Sequence, residues 1–288
     1  MYQISKIRTD RVIDFAAEEL AKYLRMMMPE CGAVSIVYDP EAKNGFRLGL
    51  MQDFGLDVSD ADDTELDDIL YIKTDENGGI VAGDNPRSVL LAVYDYLRQN
   101  GCRWLMPGTD GEYIPLQNIK PVTYRHKPSC RYRGQATEGV ISHDMAKDVM
   151  DFMPKLGLNL FMTEGMNPCD WYNGYYGHIY NEQNRAPEHI TKEQALQWKR
   201  ALESEMHKRG LQFHDVGHCW TYEPFGLLFG EYDRTNTADD SHLVPPESRQ
   251  YLAMVNGKRR IYQGLPVNTS ICMSNPEASR DISKHKRV

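Results

Sequence analysis

A strand, loop and helix pattern repeats through the second half of the chain, and this alternation limits the choice of fold more than any other feature. Residues 130–135, 158–162 and the start of 211–220 are predicted to form strands. Helices are predicted between them, at about residues 143–156 and 192–208. Strands that alternate with helices are typical of a parallel sheet, either in a barrel or in a doubly wound fold.

Each of these strands is followed by, or ends in, an acidic side chain: Glu138, Glu164 and Asp215. Barrel enzymes keep their sites at the carboxyl ends of the strands. Paired carboxylates at such positions can act as general acid and general base. The three acids are therefore candidates for catalysis, although such acids also orient arginines or bind sugar hydroxyls.

The third strand leads into a cluster of polar and aromatic groups that includes His214, His218 and Trp220. These side chains are candidates for substrate binding. The two histidines and Cys219 also raise the alternative of a metal-dependent hydrolase. In an extended strand the histidines would stand about 13 Å apart, too far to share an ion unless the chain turns at Gly217. No metal site and no cofactor is predicted.

Aromatic side chains crowd among glycines between residues 171 and 222, in segments that we expect to be loop. Flat aromatic faces suit sugar rings, although the same residues could cap the mouth of a core. Trp171 and Trp220 are the candidates for substrate contact in this group, which comprises Trp171, Tyr172, Tyr175, Tyr176, Tyr180, Trp220 and Tyr222.

The first half of the chain predicts a small α+β unit in which two helices cover one side of a mainly antiparallel sheet. Thr9 or Asp10 can cap the first helix, and Pro86 stands in the first turn of the second. The seven carboxylates of residues 57–68 indicate a solvated loop. Residues 115–128 are rich in turn and basic residues and predict a linker.

The balance of charges excludes some partners. The 288 residues include 33 basic and 41 acidic ones, which gives a net charge of −8 and argues against a nucleic-acid partner. No run approaches the roughly 18 apolar residues of a membrane span. Six scattered cysteines and the lack of an apolar signal core near the N-terminus predict free thiols in a cytoplasmic protein.

One run in the first half carries a family resemblance. Residues 79–108 combine the sequence Ile-Val-Ala-Gly-Asp-Asn-Pro-Arg, a Leu-Leu-Ala-Val-Tyr-Asp-Tyr-Leu helix and a Gly-Cys-Arg-Trp-Leu-Met-Pro-Gly exit. This run resembles the accessory domain that precedes the barrel in family 20 β-hexosaminidases and family 67 α-glucuronidases. It is most similar to bacterial proteins with the DUF4838 domain. The resemblance spans roughly residues 1–120.

The resemblance continues in the second half. Residues 131–139, 157–161 and 214–218 are similar to the first three strands of the same hydrolase barrels, and residues 270–277 are similar to a segment of the DUF4838 group. Family 20 enzymes have a comparable Gly-His after their third strand, which implies that His218 lines a sugar site. Arg133, and Asn275 in the later segment, become further candidates for substrate binding.

The expected architecture is thus α/β, with an α+β accessory domain over residues 1–122 and part of a TIM-type (β/α) barrel over residues 128–288. A complete barrel takes about 250 residues, so we expect a truncated barrel whose exposed apolar edges favour self-association. The resemblance places the catalytic acid pair of family 20 beyond the last residue.

The predicted function is that of a glycoside hydrolase, or a fragment of one, with a carbohydrate as its partner. The alternative is a non-catalytic carbohydrate-binding or structural remnant.

Overall fold

The computed structural model describes residues 2–137, 141–164, 168–178, 181, 183–216, 244–262 and 270–285. The chain divides into two compact units. The first comprises Met1–Gln135, His143–Phe161 and Arg200–His214, and the second comprises Ala136–Ser142, Met162–Lys199 and Asp215–Val288. None of the helices in the described ranges has the length and apolar character needed to cross a membrane.

The elements of the first half follow in chain order. They are β1 Tyr2–Lys6, α1 Arg11–Met27, β2 Val34–Tyr38, β3 Phe46–Leu50, β4 Leu70–Asp75, β5 Gly78–Gly83, α2 Pro86–Gln99, β6 Arg103–Trp104, β7 Glu112–Tyr113 and β8 Val122–His126. The second half adds β9 Gly134–Thr137, α3 His143–Lys155, β10 Leu160–Glu164, α4 Pro168–Tyr176, α5 Lys192–Lys208, β11 Gln212–Val216, β12 Met254–Val255, β13 Lys258–Arg259 and α6 Pro276–His285.

The sheet of the first half is mixed, which corrects the prediction of a mainly antiparallel one. Its strand order is β2-β1-β3-β5-β4-β8. The pairs β1–β2, β1–β3 and β3–β5 are parallel, whereas β4 is antiparallel to both β5 and β8. The physical reason is that α1 connects β1 to β2, and a helical crossover returns the chain to pair in the same direction.

Both long helices of this sheet begin where capping residues predict. The Asp10 carboxylate accepts from the backbone N–H groups of Val12 and Ile13, and the Asn85 side chain accepts from that of Ser88. The apolar faces of α1 and α2 share one core with the sheet. Each fully buried aliphatic side chain in such a core contributes about 1.5–3 kcal/mol. Its members with no exposed surface include Ile4, Ile13, Leu20, Leu24, Phe46, Leu48, Val81 and Val93.

The acidic segment at residues 57–68 is not simply a solvated loop, which corrects a second prediction. Val58 and Ala61 of this segment, with Leu56 just before it, pack against a separate small core of Met51, Ile69 and Ala82. The segment therefore has an apolar surface to bury, and its exposed carboxylates alternate with partly buried positions.

The last carboxylate of this segment, Asp68, is fully buried and accepts four hydrogen bonds. Its Oδ1 accepts from Arg87 Nε and Ser88 Oγ, both at 2.9 Å. Its Oδ2 accepts from Arg133 Nη2 at 2.6 Å and Asn159 Nδ2 at 2.8 Å. Burial alone would raise the pKa of Asp68, but the charges of Arg87 and Arg133 outweigh it and hold the pKa below its usual value.

A second buried carboxyl, Asp84, adjoins this network. Its Oδ1 accepts from the backbone N–H of Ile69 at 2.8 Å and lies 2.7 Å from Ser88 Oγ, while its Oδ2 is buried without a hydrogen-bond partner. Burial and the charge of Asp68 raise the pKa of Asp84. Because the Ser88 hydroxyl has a single proton to donate, it cannot donate to Asp68 and Asp84 at once.

The predicted linker at residues 115–128 contains a strand. In it, β8 pairs with β4 from Val122↔Thr74 to His126↔Leu70 and forms the edge of the six-stranded sheet. The error arose because strand pairing is decided by a partner about 50 residues away, and the basic and turn residues of this stretch hide a short edge strand.

Strands β9, β10 and β11 form a three-stranded sheet in the order β11-β10-β9, and helices alternate with them as predicted. Gly134 lets β9 and β10 approach closely, since a Cβ there would lie 2.3 Å from the Leu160 carbonyl oxygen. The predicted helix at residues 192–208 is confirmed by α5.

The aromatic stretch at 168–176 is helical, which corrects the expectation of a loop. Pro168 occupies the first position of α4, where its missing N–H leaves no bond unmade. Trp171 and Tyr172 are buried, so packing of these rings outweighs the weak helix preference of a segment that contains Gly174. The described cysteine thiols, those of Cys31, Cys102, Cys130 and Cys272, are free.

The Asp68 network yields a first prediction. Asp68→Ala leaves the guanidinium groups of Arg87 and Arg133 buried without their counter-charge, so we expect it to lower the free energy of unfolding by about 3–5 kcal/mol. Asp60→Ala removes an exposed pair with Arg125 and should cost less than about 1 kcal/mol. Urea denaturation of both variants measures the difference, and equal costs would contradict the assigned role of Asp68.

Asp84 yields a second prediction. A carboxyl whose folded pKa is raised contributes stability that is complete below its unfolded pKa and is lost as pH rises through the folded pKa. Asp84→Asn keeps the shape of the side chain and removes this loss. We therefore expect the stability of the variant relative to the wild type to be greater at about pH 8 than at about pH 4, the ordinary pKa of an aspartic acid. Urea denaturation at both pH values tests this, and a constant difference would refute it.

Candidate functional site

Asp215, near the end of β11, is the predicted catalytic candidate whose side chain the structure describes. Its Oδ1 accepts from Thr163 Oγ1 at 2.9 Å, and its Oδ2 accepts from Lys199 Nζ at 2.6 Å. The side chains of Lys199 and Asp215 are 32% and 18% exposed, so the pair lies at a partly open surface. A carboxylate offers about four acceptor positions, which leaves capacity for further donors such as sugar hydroxyls.

Three residues of the second unit, each on a different element, form this group. Thr163 lies on β10, Lys199 on α5 and Asp215 on β11. The sequence predicts Asp215 at a strand end, but it carries no signal that would link Lys199 to it, since their contact depends on how α5 lies against the sheet. We call these three residues the Asp215 triad.

An aromatic cluster in the same unit consists of Trp171, Tyr172, Tyr175, Tyr176 and Trp198. The ring of Tyr172 lies edge-on to Trp171 and to Trp198, with centroids 4.9 Å apart in both pairs. Tyr176 lies 5.2 Å from Trp198 at an interplanar angle of 36°. Trp198 immediately precedes Lys199, so the cluster adjoins the Asp215 triad along α5.

Trp171, a predicted substrate contact, is the anchor of α4. Its indole Nε1 donates to the carbonyl oxygen of Thr137 at 3.1 Å, and only 6% of the residue is exposed. Tyr175 on the same helix is exposed, at 36%. The role of Trp171 in substrate binding stays a prediction, while Tyr175, Tyr176 and Trp198 have the more accessible rings.

Thr137, where β9 ends, has a buried hydroxyl without a partner. The residue is 9% exposed, and its Oγ1 makes no hydrogen bond. An unsatisfied buried hydroxyl costs roughly 1–3 kcal/mol. Such a group is rare in native proteins, and a functional role is one explanation for it. No sequence pattern points to this residue.

His178, Glu188 and Arg185 form a second polar group that the sequence did not predict. Glu188 Oε1 lies 3.0 Å from His178 Nε2 and 2.7 Å from Arg185 Nη2. Hydrogen bonds from His178 and Arg185 lower the pKa of Glu188. The group braces the chain after α4, since the backbone N–H of Glu188 also donates to the Tyr176 carbonyl at 2.7 Å.

Two other predicted binding residues, Arg133 and His214, belong to the first compact unit. Arg133 donates to Asp68 and to the carbonyl oxygens of Gly157, Cys130 and Arg131. His214 is exposed, and its ring lies 6.0 Å from that of Tyr132. The guanidinium group of Arg133 is thus engaged in hydrogen bonds within the protein. Contact of Arg133 or His214 with substrate stays a prediction.

Asn275 caps a helix. Its Oδ1 accepts from the backbone N–H groups of Glu277, at 2.9 Å, and Ala278, at 3.4 Å, at the start of α6. This is the ordinary role of an asparagine that precedes a helix. A role in substrate binding stays a prediction.

The remaining predicted residues cannot be placed in the site. Glu138, His218 and Trp220 lie outside the described residues, as does Cys219 of the metal alternative. Glu164 ends β10, but its side chain is outside the described part. Among the described residues, no group of three or more His, Cys, Asp or Glu side chains could hold a metal ion.

Comparison with known proteins gives a structural similarity and no sequence match. No protein-family model matches the chain, and no curated protein sequence matches it. A β-hexosaminidase of Streptomyces plicatus, solved with its product GlcNAc, is similar over 99% of this chain and 52% of its own, with a TM-score of 0.50 and 13% identity.

A second solved structure, CpGH89 from Clostridium perfringens with its substrate GlcNAc-α-1,4-galactose, is matched over 96% of this chain and 31% of its own. Its TM-score is 0.48 and its identity 11%. The chain thus spans about half the length of the hexosaminidase and less of the second protein. The mixed α/β fold of this chain is similar to that of the β-hexosaminidase.

The anchoring of α4 yields a third prediction. Trp171→Phe removes the N–H donor and leaves the Thr137 carbonyl without it, so we expect the free energy of unfolding to fall by about 1–3 kcal/mol. Tyr175→Phe changes an exposed ring on the same helix and should stay within about 0.5 kcal/mol of the wild type. Denaturation in urea checks both, and a Trp171→Phe variant as stable as Tyr175→Phe would argue against the anchor.

Proposed function

We propose that this protein is a carbohydrate-active protein of the glycoside hydrolase type, or a part of one, that acts on the glycosidic bonds of an oligo- or polysaccharide. The observation that carries the proposal is the similarity of fold to the hexosaminidase over 99% of the chain. The Asp215 triad and the aromatic cluster support it, because acidic and flat aromatic groups near strand ends suit sugar binding.

The proposal extends to the architecture. We take β9, β10 and β11 as the first strands of a TIM-type barrel that follows an accessory domain of the hexosaminidase type, with the domain boundary near residues 122–128. The alternation of strands with α3 and α5 supports this assignment. The narrower relationship to the DUF4838 group rests on the sequence resemblance of residues 79–108 and 270–277.

In this proposal Asp215 binds or orients the substrate. Its two oxygens already accept from Thr163 and Lys199, and a sugar hydroxyl would add a further donor. Transfer of a proton to the leaving group falls to another carboxyl, for which Glu138 and Glu164 are the candidates from sequence. His218 and Trp220 are the proposed sugar contacts beyond the described part of β11.

A second candidate function is a carbohydrate-binding protein without catalysis. It is favoured by the engagement of both Asp215 oxygens, because hydrolysis requires two carboxylates flanking the bond and Asp215 is the one candidate with a described side chain. The two functions differ in one property: the first predicts turnover, and the second predicts binding alone.

Assays of the full chain with aryl glycosides and aryl uronides test the proposal and yield a fourth prediction. We expect turnover of at least one substrate, and Asp215→Asn should lower kcat/KM about tenfold to a hundredfold through the loss of a charge-assisted hydrogen bond worth about 1.5–3 kcal/mol. The matched control is Asp144→Asn, an exposed carboxylate on α3 that should leave kcat/KM unchanged.

The outcomes separate the two functions. Saturable binding of a sugar without turnover of any substrate would replace the hydrolase with the binding protein. The absence of both turnover and sugar binding would overturn both candidate functions. Equal effects of Asp215→Asn and Asp144→Asn would remove Asp215 from the site and leave the proposed class standing.

A further inference from the structure

The first compact unit contains a cavity that shares no residue with the Asp215 triad or the aromatic cluster. Its volume is about 640 Å³, within the range of about 300–1,000 Å³ that is typical of small-molecule sites. It lies beside the start of β1, the segment that leads into β3 and the turn between β4 and β5. The predicted function assigns no role to these residues.

One wall of the cavity is held in place by contacts within the protein. The hydroxyl of Tyr2 donates to the carbonyl oxygen of Glu76 at 3.2 Å, and its ring lies 6.1 Å from that of Phe46. The Gln3 side chain donates to Ser5 Oγ at 3.0 Å, and Met28 adds a buried apolar surface. The aromatic face of Tyr2 is therefore preorganised.

Two turns at the cavity approach each other closely, and each has a glycine at the point of approach. Gly45 and Gly78 have φ values of 69° and 121°, and a Cβ on Gly78 would lie 2.5 Å from the backbone carbon of Gly45. The backbone N–H of Gly79 donates to the carbonyl oxygen of Gly45 at 2.9 Å. This close approach fixes Asn44 and Asn77, which neighbour the two glycines, in relation to each other.

Three carboxamides around the cavity have unused hydrogen-bonding capacity. In the described part of the chain, the side chains of Asn44, Asn77 and Asn118 make no hydrogen bond to the protein, and all three residues are exposed. Each carboxamide offers donors and an acceptor together. Lys43 and Asp39 also line the cavity, so its formal charge is balanced.

We propose that this cavity is a binding site for a neutral saccharide unit. Neighbouring sugar hydroxyls are both donors and acceptors, which matches a set of carboxamides, and the apolar face of a sugar ring matches the fixed ring of Tyr2. Balanced charge gives no preference for a phosphate or another anion. The site does not depend on the proposed function, because a binding site in this unit would hold a sugar whether or not the chain cleaves one.

Isothermal titration of the full chain with neutral oligosaccharides, namely cellobiose, maltotriose and N,N′-diacetylchitobiose, tests the proposal. We expect at least one to bind, and the double variant Asn44→Ala/Asn118→Ala to bind it at least about tenfold more weakly. Gln52→Ala removes an exposed carboxamide that does not line the cavity and should bind as the wild type does. Asp215→Asn should also retain this binding, which separates the cavity from the candidate site.

Four results would overturn the proposal: no binding of any of these sugars, unchanged affinity in the double variant, loss of binding in Asp215→Asn alone, or a preference for inorganic phosphate over the sugars. The side chains of Asn44, Asn118 and Gln52 are exposed and make no hydrogen bonds within the described part of the protein, so their variants should fold. Circular dichroism verifies the fold of these variants and of Asp215→Asn. The single variant Asn118→Ala serves as a second test with a smaller expected loss.

Discussion

Burial of the Asp68 carboxylate is the interaction on which the first compact unit depends. Its four donors come from the first turn of α2, the segment before β9 and the segment before β10. An ion in such a place costs several kcal/mol unless all partners are present. The buried carboxylate is therefore stable only while Arg87, Arg133 and Asn159 all keep their positions. A change at one of these residues affects the other two, because all three donate hydrogen bonds to the same carboxylate.

This network explains which parts of the fold could be predicted from sequence. Local signals were sufficient to predict α1, α2 and α5, because capping residues, Pro86 and apolar spacing lie in or directly beside the helix concerned. Contacts between residues that are distant in sequence could not be predicted in this way. The carboxylates at residues 57–68 look alike in sequence, yet Asp68 is buried because arginines from distant segments reach it. For the same reason β8 resembled a linker.

The candidate site shows the same division between local and distant information. A strand that ends in an acid marks Asp215, but Thr163 and Lys199 become its partners only through the packing of β10 and α5. The aromatic residues were noticed in sequence, although their helix was not, since burial of Trp171 and Tyr172 supplies what the helix preference of the segment lacks. Tertiary contacts, which no single segment encodes, account for both gaps.

The contacts of Asp215 also limit the chemistry that it can perform. A carboxylate that accepts from an ammonium at 2.6 Å and from a hydroxyl at 2.9 Å acts as a hydrogen-bond acceptor in this arrangement. In the proposed function, the proton for a cleaved glycosidic bond therefore comes from another group. Lys199 and Thr163 instead suit Asp215 to orient a hydroxyl, because two fixed donors set the plane of the carboxylate and hence the direction of its free lone pairs.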